Sequence, residues 1–246
     1  MACVMNFPYK AVLFDWAYTL VDLVEEDDRS AFMHLFAFMR SKGFEVPDFE
    51  EAFNLYRELF YGMIEVSRKT HREACFNLVL KHLLFKYHIE IRGKATLEDL
   101  LMVYYKALYA CRKLYPETLP VLEQLKSQGV RMGIISNTTN PGFMKDHEKF
   151  SMGLSPYFEF AIYSSEVPYR KPHPSIFKLA VDRLRLDVGE VLYVGDDLRA
   201  DVEGAQGVGM SAAWLNRDNR SIAHGICPDY EIRTLSEVLG INAQVA

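Results

Sequence analysis

Four consecutive apolar residues, Ala11-Val-Leu-Phe14, followed at once by Asp15, limit what this chain can fold into. A strand with one face in water alternates polar and apolar side chains. A short run without alternation suits a strand buried on both faces, as in a parallel sheet covered by helices. The text after Pro116 agrees. Helical patterns at 119–128, 141–150, 174–184 and 199–206 alternate with strand patterns at 131–135, 158–163, 190–194 and 211–215, and a short helix is expected near Leu235. The expected fold class is α/β, a doubly wound, Rossmann-like parallel sheet, whose ligand crevice lies beyond the carboxyl ends of the strands.

Between residues 22 and 113 the character changes, because apolar residues recur at helical spacing and no strand pattern stands out. Phe32, Leu35, Phe36 and Met39 form one stripe; Phe53, Tyr56, Phe60 and Met63 a second; Phe76, Leu80, Leu83 and Leu84 a third; and Leu97, Leu100, Leu101, Tyr104 and Leu108 a fourth. Ser41-Lys-Gly43 closes the first helix, and Thr96-Leu-Glu-Asp99 opens the fourth with a capping-box pattern. The expected organisation is an α/β core of residues 1–21 and 114–246 with an inserted four-helix unit of residues 22–113. Such stripes ordinarily make a helix-bundle core, and the alternative is that they line a substrate pocket.

Half of the 246 residues are hydrophobic, enough for a sizeable core. The 33 acidic and 28 basic side chains give a formal net charge of -5, with no basic run interleaved with aromatics, so no nucleic acid is expected as a partner. Neither a basic-then-apolar leader nor a bilayer-spanning run is visible, so no membrane association is expected and the location expected is cytoplasmic. Cys3, Cys75, Cys111 and Cys227 are scattered without a CxxC pair, which predicts reduced, buried, small apolar side chains rather than a zinc site or disulfide framework.

The polar residues of interest fall where the predicted strands end. Asp15 ends the first, Ser136 ends the strand at 131–135, and Asp196 follows the strand at 190–194 after Gly195. Each has an ordinary alternative, since Asp after a strand often caps a helix and Ser136-Asn137 makes a good turn. Convergence of chain-distant polar groups on one edge of a parallel sheet is what favours an active site.

These residues lie in four ordered segments, Phe14-Asp-Trp-Ala-Tyr-Thr-Leu20, Ile134-Ile-Ser-Asn137, Arg170-Lys-Pro-His-Pro174 and Val194-Gly-Asp-Asp-Leu-Arg-Ala-Asp201. Together they resemble the four motifs of the haloacid dehalogenase superfamily, and the helical unit resembles its C1 type of cap. The resemblance implies a phosphatase-type hydrolase acting on a phosphorylated small molecule. Asp15 would be both nucleophile and metal ligand; Ser136 and the main-chain N–H of Asn137 would hold the phosphate oxygens; Lys171 would reach the phosphate and Asp15. It further implies Mg²⁺ as cofactor, held by Asp15, the carbonyl of Ala17 and Asp196, with Asp201 holding a metal-bound water or Lys171. Asp197 is either a helix cap or a solvated charge.

Two positions depart from the pattern. In most phosphatases of this superfamily a second Asp stands two residues after the nucleophile and serves as general acid and base, and here that position is Ala17. Loss of such a group commonly costs about 10²- to 10⁴-fold in rate, so slow turnover or a narrow substrate range is expected. Tyr18 stands where Gly is common, in a turn that Tyr follows less freely, and its ring is expected to project toward the entrance. Branches lacking the second Asp supply the other readings. A phosphonoacetaldehyde-hydrolase-like enzyme would need a cap amine, for which Lys42, Lys69, Lys81, Lys86 and Lys94 are the candidates. A 2-haloacid dehalogenase would need no metal, against the acidic cluster at Asp196 to Asp201. A non-catalytic phosphate sensor would hold phosphate on Asp15 because Ala17 activates no water. Closure of the cap would hinge near 21–25 and 111–115.

Overall fold

The computed structural model of the protein describes residues 7–23, 26–222 and 225–241. Strand β1, Ala11–Phe14, is buried at every position, as its unbroken apolar run requires. It pairs in parallel with β4, Arg131–Ser136, on one side and with β6, Val191–Gly195, on the other. With β5 (Phe160–Tyr163), β7 (Ser211–Leu215) and β8 (Tyr230–Ile232) the parallel sheet runs in the order β5-β4-β1-β6-β7-β8. Strand β8 is an addition to the sequence expectation. Its three residues are too short for periodicity to register.

Alternate residues of the same strands face opposite layers. Val12, Phe14, Ile134, Leu192 and Val194 pack with α5 (Thr118–Ser127), whereas Ala11, Leu13, Ile135 and Tyr193 pack with α7 (Pro174–Leu184). Helix α6 (Gly142–Ser151) follows β4. The expected helix at 199–206 is corrected: Leu198–Glu203 winds as a wide π-type turn and only Gly204–Gln206 is α-helical. Asp197 caps this turn by accepting from the N–H groups of Arg199 and Ala200 at 2.9 and 2.7 Å, which decides its role in favour of the cap. The segment near Leu235 is a 3₁₀ turn, Leu235–Gly240.

Helices α1 (Asp28–Ser41), α2 (Phe49–Thr70), α3 (Phe76–Lys86) and α4 (Leu97–Tyr109) form a layer with its own hydrophobic cluster. Gly43 follows α1 at φ +72°, and Thr96 with Asp99 makes the expected capping box on α4. Nearly all the stripe residues are buried against one another, with Met63 and Leu97 half-buried beside them, so the stripes are core. A two-residue antiparallel ribbon, β2 (Val21–Asp22) with β3 (Lys113–Leu114), joins this layer to the sheet. It coincides with the expected hinges, of which Val24 and Glu25 lie outside the described residues.

No helix among the described residues is long and apolar enough to cross a membrane. Cys75 and Cys227 are free thiols, but the expectation of burial fails, since Cys75 and Cys111 are half-buried and Cys227 is exposed. Cys3 lies outside the described residues.

Gly195 ends β6 with no room for a side chain, because a Cβ there would stand 2.4 Å from the carboxyl carbon of Asp201. Gly195→Ala must therefore displace Asp201 or the strand end. Equilibrium urea unfolding should show a loss of about 1–3 kcal/mol, the usual cost of forcing a methyl into a packed site; an unchanged midpoint would contradict this packing.

Candidate active site

Because β1 lies between β4 and β6, residues at the carboxyl ends of the three strands are brought side by side: Asp15 centrally, Ser136 on one flank and Asp196 on the other. The N–H of Asp15 donates to Val194 O at 2.9 Å, carrying the β1–β6 ladder one residue past the strand. Trp214 Nε1 donates to the carbonyl of Asp196 at 2.9 Å, and Arg220 Nη2 donates to the same oxygen at 2.6 Å. The loop carrying Asp196 is thereby tied to β7.

Lys171 arrives from the loop before α7, anchored through its main chain. Its N–H donates to Asn137 Oδ1 at 2.9 Å and its carbonyl accepts from Asn137 Nδ2 at 3.1 Å. Asn137 is thus a clamp on Lys171, a side-chain role the sequence did not suggest. The Lys171 side chain is only 2% exposed, and Nζ donates to Asp15 Oδ1 at 2.6 Å, Asp201 Oδ1 at 2.7 Å and the Tyr193 hydroxyl at 2.8 Å. All three ammonium donors are used. Burial works to lower the Lys171 pKa, but Asp15 and Asp201 outweigh it and the ammonium is held above its ordinary range. Asp201 is fixed at its other oxygen, Oδ2, by the N–H of Asp197 at 3.0 Å.

Asp15, Asp196 and Asp201 each present a carboxylate oxygen within 4.8 Å of the others. Against three carboxylates stands one buried ammonium, with the half-exposed Arg220 a further 3.7 Å from Asp196 Oδ2. Burial first, and then the neighbouring carboxylates, raise Asp196 and Asp201 above the usual carboxylate range. A compact set of hard oxygen donors with unneutralised negative charge fits a divalent cation such as Mg²⁺.

A cavity of about 270 Å³ opens beside this edge, walled by Trp16, Ala17, Ser136, Asn137, Lys145 and Arg170 among others. The helical layer contributes to it chiefly through Ile64 and Arg68 of α2. The connection from α2 to α3 is seated on the core: Arg170 N–H donates to His71 O at 2.8 Å, Phe76 N–H donates to Thr139 O at 3.0 Å, and Glu73 accepts from Ser164 Oγ at 2.5 Å and Arg170 Nη1 at 3.2 Å. Lys42, Lys69, Lys81, Lys86 and Lys94 are all exposed and none lines this cavity. Tyr18 adopts φ +59° and is about half exposed; it borders a second recess beside Asp196 and does not line the first cavity.

Beneath Trp16 lies a second buried network that the sequence reading missed. Glu148, fully buried, accepts from Trp16 Nε1 at 3.3 Å and Arg112 Nη1 at 2.9 Å on one oxygen, and from Tyr105 and Lys145 on the other. Burial alone would raise the Glu148 pKa, but Lys145 and Arg112 bring it down to about 2. In sequence, Lys145-Asp-His-Glu148-Lys149 has the look of a solvated charged face.

The family model for haloacid dehalogenase-like hydrolases matches residues 9–209, and the chain belongs to that family of hydrolases. Among similar proteins, a glyceraldehyde 3-phosphate phosphatase of Methanopyrus kandleri is 31% identical over 96% of this chain and 98% of its own. A ribulose-1,5-bisphosphate 5-phosphatase of Halopiger xanaduensis is 31% identical over 66% of this chain and 68% of its own. Of solved structures, a HAD phosphatase from Thermococcus onnurineus superposes with a TM-score of 0.65 at 31% identity, covering 94% of this chain and 96% of that one. A 2-haloacid dehalogenase from Pseudomonas syringae superposes with a TM-score of 0.72 at 25% identity, covering 94% and 98%.

The raised carboxylates set a pH dependence. Asp196 and Asp201 hold protons more tightly in the folded protein than at their ordinary value of 3.8, with folded values of about 8 and about 6. Between those limits the folded metal-free protein binds more protons than the unfolded chain, so its stability falls as pH rises. Chelator-treated protein should therefore lose unfolding free energy from about pH 4 to about pH 8, and Mg²⁺ should flatten the decline. Equal slopes with and without Mg²⁺, measured by denaturant titration, would contradict this reading of the cluster.

Proposed function

We propose that the protein is a Mg²⁺-dependent phosphohydrolase that acts on a small phosphorylated metabolite through an aspartyl-phosphate intermediate on Asp15. The trio of buried Asp15, half-buried Asp196 and buried Asp201, with Lys171 as its single buried counter-charge among the described residues, carries this reading. It also favours a phosphatase over a metal-free dehalogenase, because three mutually close carboxylates are a liability unless a cation joins them. Relatives named for glyceraldehyde 3-phosphate and ribulose-1,5-bisphosphate favour a sugar-phosphate class of substrate, and a cavity of about 270 Å³ suits one of that size. The four dispersed cysteines support a reducing, cytoplasmic setting.

Asp15, Asp196 and the main-chain carbonyl of Ala17 would hold the cation, with Asp201 behind them. Bound there, Mg²⁺ supplies positive charge that offsets the repulsion between the Asp15 carboxylate and an anionic phosphoryl group. Asp15 attacks phosphorus, and its bond to phosphorus forms as the bond to the leaving oxygen breaks. Ser136 Oγ and the N–H of Asn137 donate to the nonbridging oxygens, where charge is held throughout. Lys171 keeps the Asp15 carboxylate aimed, and Asn137 keeps Lys171 in place. Residues 22–113 act as a cap whose α2–α3 connection closes the cavity through Glu73 and Arg170, moving about the β2–β3 ribbon.

Purified protein assayed on a panel of sugar phosphates with Mg²⁺ should release inorganic phosphate, and Asp15→Asn should lower that rate by at least about 10²-fold. Ala17→Asp should raise the rate by restoring a carboxyl group two residues from the nucleophile. No phosphate release with Mg²⁺, or release that survives Asp15→Asn unchanged, would end this proposal.

A further inference from the structure

Ala17 leaves the proposed reaction without a carboxylic acid near the leaving oxygen, yet one amine stands on the wall of the same cavity. Lys145 lies in the first turns of α6, and its side chain is 5% exposed. It lines the cavity together with Ala17, Ser136 and Asn137, and its Nζ lies 4.8 Å from the ring centroid of Trp16, the residue between Asp15 and Ala17. Glu148 is the only acceptor of its N–H groups among the described residues, so the ammonium retains donor capacity that no protein group takes up. The groups facing it are Glu148 on its own helix, Arg112 and Glu26 from the two hinge segments, and Tyr105 from α4. The cavity's two acids among the described residues are engaged elsewhere, Glu26 with Arg112 and Glu73 with Arg170 and Ser164.

Burial is the largest influence on Lys145 and pulls its pKa from 10.5 down to about 8; Glu148 opposes the shift and Arg112 adds to it. An ordinary lysine is almost wholly protonated at neutral pH and returns as a base too rarely to be useful. An amine shifted toward the working pH serves in both directions.

We propose that Lys145 performs the proton transfers that Ala17 cannot, an inference that rests on the phosphohydrolase reading above. In the first step an Asp15 oxygen bonds to phosphorus, the bond from phosphorus to the leaving oxygen breaks, and the Lys145 ammonium passes one proton to that oxygen. In the second, the neutral amine takes a proton from water as the water oxygen bonds to phosphorus. The bond between phosphorus and Asp15 then breaks, its electrons return to the carboxylate, and Lys145 is again an ammonium. One water is consumed, alcohol and phosphate leave, and the enzyme is restored. Glu148 is a positioning residue in this scheme, holding Lys145 against Trp16.

The test compares wild type with Lys145→Met and Lys145→Gln on an alkyl phosphomonoester and on p-nitrophenyl phosphate, whose leaving group departs without a proton. On the alkyl ester kcat should fall about 10²-fold in both variants. The initial burst of nitrophenolate should keep its rate, phosphate should accumulate on Asp15, and Ala17→Asp added to Lys145→Met should recover part of the loss. A merely structural role would slow the burst and the alkyl ester alike, and that result, or an unchanged kcat, overturns the inference. Wild type gives a readout free of any folding defect: its alkyl-ester kcat should decline above about pH 8 as Lys145 loses its proton, while the burst should not. Absence of that difference also overturns it. Wild type inactive on every phosphomonoester removes the phosphohydrolase reading and this inference together. Activity that depends on Asp15 but is indifferent to Lys145 removes this inference alone.

Discussion

The Lys171 ammonium lies within hydrogen-bond distance of Asp15, Asp201 and Tyr193, so one buried charge ties the ends of β1 and β6 to the loop before α7. Removing a partner from a buried ion pair typically costs about 3–5 kcal/mol, because the remaining charge is left without solvent or counter-charge. Much of the surrounding structure serves this contact. Asn137 holds the Lys171 main chain, the wide turn at Leu198–Glu203 directs Asp201 inward, and the bare Cα of Gly195 leaves space for the Asp201 carboxylate.

That arrangement is incomplete electrically, since Asp196 joins Asp15 and Asp201 without a buried cation of its own among the described residues. The excess negative charge is the physical reason for a divalent ion. The second network, under Trp16, has the opposite character: Glu148 is over-supplied with donors and is driven deep into its ionised range, while Lys145 beside it has donors to spare. The two networks meet at residues 15–17. Asp15 belongs to the first, the Trp16 ring to the second, and Ala17 fronts the cavity between them.

What was legible in the sequence follows from what periodicity and spacing can encode. The unbroken run of β1 announced a two-sided burial, the Thr96 to Asp99 capping box announced α4, and strand-end positions announced Asp15, Ser136 and Asp196. The helical stripes declared themselves as core because side chains at helical spacing share one face. Tyr193 was hidden because its ring packs as an ordinary core aromatic, while only its hydroxyl reaches Lys171; the signal was a lone polar atom in the otherwise aliphatic Val191–Gly195. Lys145 and Glu148 were hidden because two charges one helix turn apart look like a solvated pair. Only the tertiary arrangement of Trp16, Tyr105 and Arg112 around them makes them buried.

The central claim is that Asp15 and Asp196 share a cation while Asp15 takes the phosphoryl group. A crystal structure grown with Mg²⁺ and beryllofluoride tests it most directly, since beryllofluoride mimics a phosphoryl group on a carboxylate. The account predicts beryllium bonded to an oxygen of Asp15, its fluorides facing Ser136 and Lys171, and Mg²⁺ between Asp15 and Asp196. Beryllofluoride absent from Asp15, or Mg²⁺ bound elsewhere with the three carboxylates left together, would contradict it.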